Sequence, residues 1–377
     1  MSETITAPNQ PAPNEPDERR PLGARLFLAF ALQFLVLGSW YCLRPLREEI
    51  ATFDTDVISR LWTLSFVAML VASPVFAFAA RHFRRKELCA GTYLVLVCAL
   101  VAFALGLARL AAADQASAGV GQPASMSEAR ILVEQAFYVF CSMYTLFVVS
   151  VMWSYLADVF RSEEARRWFG PIAAAGTLGG LTASWAMESL TLRLELHELL
   201  WIPAGLLGAA ALGILLVDRG PSNAAEDKPP GTGTLWAGIL VVFRSKMLLA
   251  IVAYLLLASV AGAFRYQIQA TILNEAIAER GLRASFYASI NKWTNGYALL
   301  SQLFLSAWLM KRIGVGLTLS ALPLVAGIVF ATLGGLKAAG WDAQALLPVL
   351  FVATIAWRGA RWPLRGSRWS PCGSWRL

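Results

Sequence analysis

Leu88-Cys-Ala-Gly-Thr-Tyr-Leu-Val-Leu-Val-Cys-Ala-Leu-Val-Ala-Phe-Ala-Leu-Gly-Leu-Ala108 is a run of 21 residues without a charge. As a helix rising 1.5 Å per residue, it is long enough to cross a hydrocarbon core of about 30 Å. Ala80-Arg-His-Phe-Arg-Arg-Lys86 precedes it and Arg109 follows it. A basic turn on one side of an apolar span marks the cytoplasmic end.

Comparable runs fill most of the chain. Ten spans are predicted, at 26–43, 61–80, 88–108, 131–157, 171–189, 199–217, 247–268, 286–309, 315–336 and 342–356. The fifth is diluted by Gly and Ala, and the eighth carries polar residues. Composition agrees: 57% of residues are hydrophobic and 15% charged, with a mean hydropathy of +0.57, where a soluble domain carries about a quarter charged. The fold class is therefore all-α, a polytopic helical membrane protein with the lipid bilayer as its first partner.

Loop charges set the orientation. With the N-terminus inside, cytoplasmic segments hold 16 Lys and Arg and outer loops nine, which favours a cytoplasmic N-terminus in the plasma (inner) membrane. Residues 1–23 form a polar N-terminal tail with no signal-peptide pattern, since a basic start and short apolar core are missing. Two connections are long: 110–130 outside, and 218–246 inside, after six spans. A polar cytoplasmic loop there separates a six-helix half (24–217) from a second, four-helix segment (247–356). Arg44 and Arg265 each lie 18 positions after the start of their span, a faint echo between the halves.

Net charge is +8, and five of the arginines lie in residues 357–377 without an acid. The remaining +3 gives no case for nucleic-acid binding. The five cysteines lack paired spacing, and His82 and His197 are far apart, so neither a disulfide framework nor a metal centre is expected. No cofactor is implied. A polytopic enzyme would need clustered Asp, His or Glu at one interface, which the short loops do not offer; the chain reads as a non-enzyme.

The residues that could carry chemistry are polar groups inside spans. Trp40-Tyr41-Cys-Leu-Arg44-Pro45-Leu-Arg47-Glu48-Glu49 places two arginines at the end of the first span. Arg47 there can snorkel to headgroups. Pro45 is expected to interrupt the helix and free backbone groups beside the Arg44 guanidinium, an arrangement suited to an anionic solute. Arg265, Gln267 and Gln269 in the seventh span, with Asn291, Lys292, Asn295 and Gln302 in the eighth, form a second polar group. Positions 291, 295 and 302 share one helical face, which must look into the bundle or a cavity. Its amides serve either interhelical bonding or solute contact. Lys292 favours contact, since an ammonium at midspan needs a partner. The substrate-binding candidates are thus Tyr41, Arg44, Arg47, Arg265, Gln267, Asn291, Lys292 and Asn295. Asp158 sits level with Arg81, Arg84 and Arg85, where a salt bridge would act as a gate or a permanent tie. Glu134, near the outer end of the fourth span, reads as facing water. Gly170-Pro-Ile-Ala-Ala-Ala-Gly-Thr-Leu-Gly-Gly180 reads as a close-packing face.

The turn at 80–86 resembles the major facilitator superfamily loop motif Gly-x-x-x-Asp-Arg-x-Gly-Arg-Arg, with Ala80 at the Asp position and Phe83 at the second Gly. Tyr41-Cys-Leu-Arg-Pro-Leu-Arg-Glu48, Leu146-Phe-Val-Val-Ser-Val-Met-Trp-Ser-Tyr-Leu-Ala-Asp-Val-Phe160 and Arg167-Trp-Phe-Gly-Pro-Ile-Ala-Ala-Ala-Gly-Thr-Leu-Gly179 are similar to the bacterial branch that resembles ATP/ADP translocases. The resemblance covers about residues 24–356. It implies a bundle of two pseudo-repeated halves with twelve helices, alternating access about a central cavity, and a nucleotide or other phosphorylated, anionic small-molecule solute handled by a monomer. Ten helices are found. Residues 357–377, with four Trp and five Arg, read either as a lipid-binding juxtamembrane tail or as an out-of-frame stretch; the second implies a shortened fold and a remnant that does not transport.

Overall fold

The computed structural model describes residues 21–53, 57–83, 85–117, 126–160, 162–217, 243, 245–302 and 323–360. Its principal helices are α1 (Leu22–Phe53), α2 (Ile58–His82), α3 (Arg85–Ser117), α4 (Glu128–Val159), α5 (Ser162–Leu190), a single turn α6 (Leu196–Leu199), α7 (Trp201–Val217), α8 (Lys246–Ala276), α9 (Arg280–Leu300), α10 (Pro323–Ala338) and α11 (Ala343–Ala360). Six are long and apolar enough to cross a membrane: α1 to α4, the α6–α7 unit and α8. On α2, Phe66 (67%), Leu70 (62%) and Phe78 (65%) are exposed. A continuous apolar face of this kind is stable against lipid and costly against water.

α5 and α9 are long but polar, and each turns one face inward: Ser184 and Met187 of α5 and Asn291 and Asn295 of α9 are buried, while Trp185 and Trp293 are exposed. α1 packs along α5, α9 packs on α5 and α1, and α4 and α7 complete the surround of α1. Small residues permit this contact. A Cβ on Gly179 would fall 2.2 Å from the Phe34 carbonyl oxygen, and one on Gly176 would fall 2.9 Å from the Gln33 side chain. The glycine run of α5 is therefore a backbone-to-backbone seam with α1, as expected of small residues between membrane helices. Buried apolar side chains form two clusters. One is built from α1–α7 with Ala270 and Ala288; the other joins Ile272, Leu273, Tyr287, Val329, Leu333, Leu346 and Leu350 of α8–α11.

Three details depart from expectation. Pro45 does not interrupt the helix: α1 runs unbroken to Phe53. Proline removes a single bond, to the Tyr41 carbonyl, and the helix continues past it among its packed neighbours α4, α5, α7 and α9. The long outer connection is shorter than 110–130, because α3 continues through Ala111-Ala-Ala113 to Ser117; alanine is the strongest helix former. The last helix extends to Ala360, so Trp357 and Arg358 belong to it, with Trp357 only 1% exposed. Between α10 and α11 the chain turns at Gly340 (φ 85°), the one positive-φ glycine among the described residues. Trp341 N–H bonds the Leu336 carbonyl and Gly340 N–H that of Lys337, a helix stop that needs glycine. Asp342 Oδ1 then accepts from the Ala345 N–H at 2.7 Å, capping α11.

Candidate functional site

α1 carries Tyr41, Arg44, Arg47, Glu48 and Glu49 within three turns, and these side chains meet α4, α8, α9 and α11. Arg44 Nε donates to Glu48 Oε1 at 2.9 Å, the i, i+4 spacing of neighbours on a helix. From α11, Arg358 Nη2 reaches both oxygens of Glu48 at 3.3 Å, and Arg358 Nη1 donates to Asn291 Oδ1 at 2.5 Å. Glu48 and Asn291 are buried. One carboxylate thus sits between guanidinium groups from opposite ends of the chain.

Arg47 does not snorkel. Its guanidinium lies 4.4 Å from the centre of the Tyr138 ring and donates to the Tyr138 hydroxyl at 3.1 Å. Trp62 Nε1 donates to the same hydroxyl at 3.1 Å, and its ring lies 5.8 Å from that of Tyr266. Cation and aromatic faces therefore share one wall.

On α8, Arg265 is buried and donates to Gln269 Oε1 at 2.5 Å and to Thr354 at 3.4 Å. Gln267 is exposed. Two positions along a helix is about 200° round it, so Gln267 points away from Arg265 while Gln269, at i+4, meets it. The expected grouping changes accordingly: Gln269 is the buried companion of Arg265, and Gln267, expected to bind substrate, lies on the exposed face.

The polar face of α9 does look inward. Asn291 and Asn295 are 0% and 1% exposed, and Gln302 exchanges hydrogen bonds with Thr177 of α5 at 3.2 and 3.4 Å. Lys292 is paired with Glu188 of α5. Gly180 makes room for the site: a Cβ there would lie 2.6 Å from the Tyr41 ring and 3.2 Å from Asn295 Nδ2. Several buried polar atoms have no hydrogen-bond partner among the described residues: Arg47 Nε, Tyr266 OH, Gln269 Nε2, Asn291 Nδ2 and Asn295 Nδ2. Buried donors left in this state are costly unless something else accepts from them.

At the next residue of α1, Glu49, a second charged cluster ties helices together. Arg280, at the start of α9, donates to both oxygens of Glu49 (2.9 and 2.8 Å) and of Glu134 (3.2 and 2.7 Å). Arg283 also donates to Glu49, at 3.0 Å. Arg130 lies 3.4 Å from Glu134 and 3.6 Å from Asp114. Burial works to lower the Arg280 pKa, but the bonds and charges of Glu49 and Glu134 hold it above the usual arginine value. Glu134 is therefore not a water-facing group; it is 3% exposed, and two arginines compensate its charge.

Glu48, Glu49, Arg280, Arg283 and Arg358 carry these clusters, and the sequence reading assigned none of them to a site. The Arg44–Glu48 spacing was the one readable signal. At the opposite end of α1, Arg25 pairs with Glu164 at 3.0 Å. Asp158 is exposed at the end of α4. Arg84 and the side chains of Arg81 and Arg85 lie outside the described residues, so the expected contact with Asp158 falls outside them too.

No protein-family model matches the sequence, and no curated protein does at a significant level. Solved structures match in shape. A crystal structure of a point mutant of the nucleoside transporter NupG superposes with a TM-score of 0.60 at 18% identity, over 90% of this chain and 80% of that one. A second NupG structure gives 0.57 and 18%, over 90% and 78%. At this identity the likeness is one of fold: the described residues form an all-helical bundle with apolar helices long enough to cross a membrane, arranged as in these transporter structures.

Proposed function

We propose that the chain is a secondary active transporter that moves a small anionic solute by alternating access. One observation carries the reading. Among the described residues Arg44, Arg47, Lys292 and Arg358 line the interior, against the two carboxylates Glu48 and Glu188. A surplus of positive charge inside a membrane bundle is expensive, and a negatively charged cargo relieves it. The unpartnered amide and phenol donors beside these cations are groups that such a cargo would satisfy. Tyr41, Arg44, Arg47, Arg265, Asn291, Lys292 and Asn295 are assigned to its binding.

Arginines hold phosphate in bidentate fashion, and the Trp62 and Tyr266 rings present an aromatic surface beside Arg47. A phosphorylated nucleoside combines the two chemistries. The similarly folded NupG is a nucleoside transporter, in keeping with a cargo of that size. The loop charges favour a multi-pass protein of the inner membrane with a cytoplasmic N-terminus, working as a monomer.

Proteoliposomes loaded with one member of a panel of nucleotides, sugar phosphates and uncharged nucleosides test the reading by counterflow of labelled substrate. Uptake of a phosphorylated member, abolished by Arg44→Gln or Arg47→Gln, is the expected result. Uptake of uncharged nucleosides alone would remove the anionic assignment, and uptake of nothing in the panel would remove transport of this class.

A further inference from the structure

Glu48 occupies the place between two guanidinium groups that an anionic ligand would take. Its carboxylate receives Arg44 from its own helix and both oxygens receive Arg358 from α11, 310 positions away. Arg358 is further held by Asn291, whose own Nδ2 has no partner among the described residues. Two cations share one carboxylate, so the set retains a positive charge while buried. The Arg44 side chain keeps 25% of its surface exposed, whereas Glu48 keeps 4%. The cation is approachable and the carboxylate behind it is not.

We propose that Arg44, Arg358 and Asn291 form the oxyanion-binding site, and that Glu48 is an internal stand-in for the ligand which the incoming anion displaces. This deepens the transport reading above and rests on it for its physiological meaning. The physical reason lies in competition. A carboxylate and a phosphate accept the same paired N–H donors of arginine. An empty site with two uncompensated guanidinium groups would strain the bundle. Glu48 compensates them in the absence of ligand, and weakens ligand binding by the free energy needed to move it aside. The arrangement also couples the site to the packing of α1 on α11, because the same carboxylate bridges them. Arg47, the next basic group along α1, is held by Tyr138 with no carboxylate partner among the described residues, so the displaced Glu48 has a second cation toward which to turn.

The test is a binding measurement on the full chain purified in detergent, with inorganic phosphate as the probe. Glu48→Gln, of the same shape, should bind phosphate at least about tenfold more tightly than the wild type, since its internal competitor is lost. It should also melt at a lower temperature without phosphate and regain the difference when phosphate is added. Arg358→Gln should bind at least about tenfold more weakly. Lys337→Gln, at an exposed pair with Glu275, should change nothing. If Glu48→Gln does not fold, Glu48→Asp keeps the charge but draws it back by one methylene, and should bind phosphate more tightly than the wild type. Equal affinity in the wild type and the Glu48 variant overturns the proposal, as does unchanged affinity in Arg358→Gln. Binding of anionic phospholipid without binding of free phosphate also overturns it, because the site would then serve a headgroup. The readout does not depend on transport. A chain that shows this pattern yet moves no solute keeps the inference and loses the transport reading; one that transports phosphorylated solutes with no such pattern does the reverse.

Discussion

Arg283 of α9 donates to Glu49 of α1 at 3.0 Å, with the two side chains 3% and 6% exposed. The same carboxylate receives Arg280, which also holds Glu134 of α4. Both acids and both bases are therefore satisfied only while α1, α4 and α9 stay together. Removing one member leaves buried charge uncompensated, which costs about 3–5 kcal/mol when the partners remain.

Glu49→Gln is accordingly expected to lower the melting temperature strongly and to open the end of the bundle where Arg280 lies. A cysteine placed at Ser285 of α9, whose hydroxyl bonds the Glu188 carbonyl of α5 on the seam beside this cluster, should react faster with a membrane-impermeant maleimide in the Glu49→Gln background. An unchanged labelling rate would show that this cluster does not hold the seam shut.

The α1–α5 seam leads to a second expectation. At Gly179 the nearest atoms to an added Cβ are backbone, starting with the Phe34 carbonyl oxygen at 2.2 Å, and backbone cannot swing aside as a long side chain can. Gly179→Ala should destabilise by at least about 1–3 kcal/mol, seen as a lower melting temperature and poorer yield. Gly170→Ala on the same helix meets nothing within 4 Å and should be silent. Equal behaviour of the two would mean that the helices can part without cost.

The fold class was legible because a bilayer demands long apolar segments, and that demand is written in consecutive residues such as 88–108. The polar face of α9 was legible for a related reason: spacing alone places Asn291, Asn295 and Gln302 together. The ion pairs were not. Glu49 with Arg280 and Glu48 with Arg358 join residues 231 and 310 positions apart, and no local pattern encodes which distant helix faces which. Arg280 and Arg283 sit near a helix end, where sequence reads a loop charge. Gln267 illustrates the opposite error, since an amide within two positions of a buried arginine looks like a companion until the helical turn is counted.

Lys292 and Glu188 allow the structural and the functional share of a cation to be separated. The pair spans α9 and α5 with side chains 23% and 27% exposed. Lys292→Met strands a partly buried carboxylate and should lower the melting temperature. Lys292→Met with Glu188→Leu removes both charges and should recover most of that loss. Under the proposed binding role, anion uptake fails in both variants. Recovery of uptake together with stability would reassign Lys292 to a purely structural tie.

Gln269 and Gln267 provide the sharpest contrast on α8. Gln269 is 1% exposed and accepts from Arg265 at 2.5 Å, so it orients a guanidinium that also reaches Thr354 of α11. Gln269→Ala leaves Arg265 with one fewer acceptor in a buried setting, a loss of about 1–3 kcal/mol. The same change should weaken anion uptake, because the arginine then loses one of the groups that orient it. Gln267 lies on the exposed face, where substitutions usually stay within about 0.5 kcal/mol. Gln267→Ala should therefore match the wild type in melting temperature and in uptake. If the two substitutions exchange these outcomes, the register of α8 against α11 is wrong, and with it the placing of Arg265 in the interior.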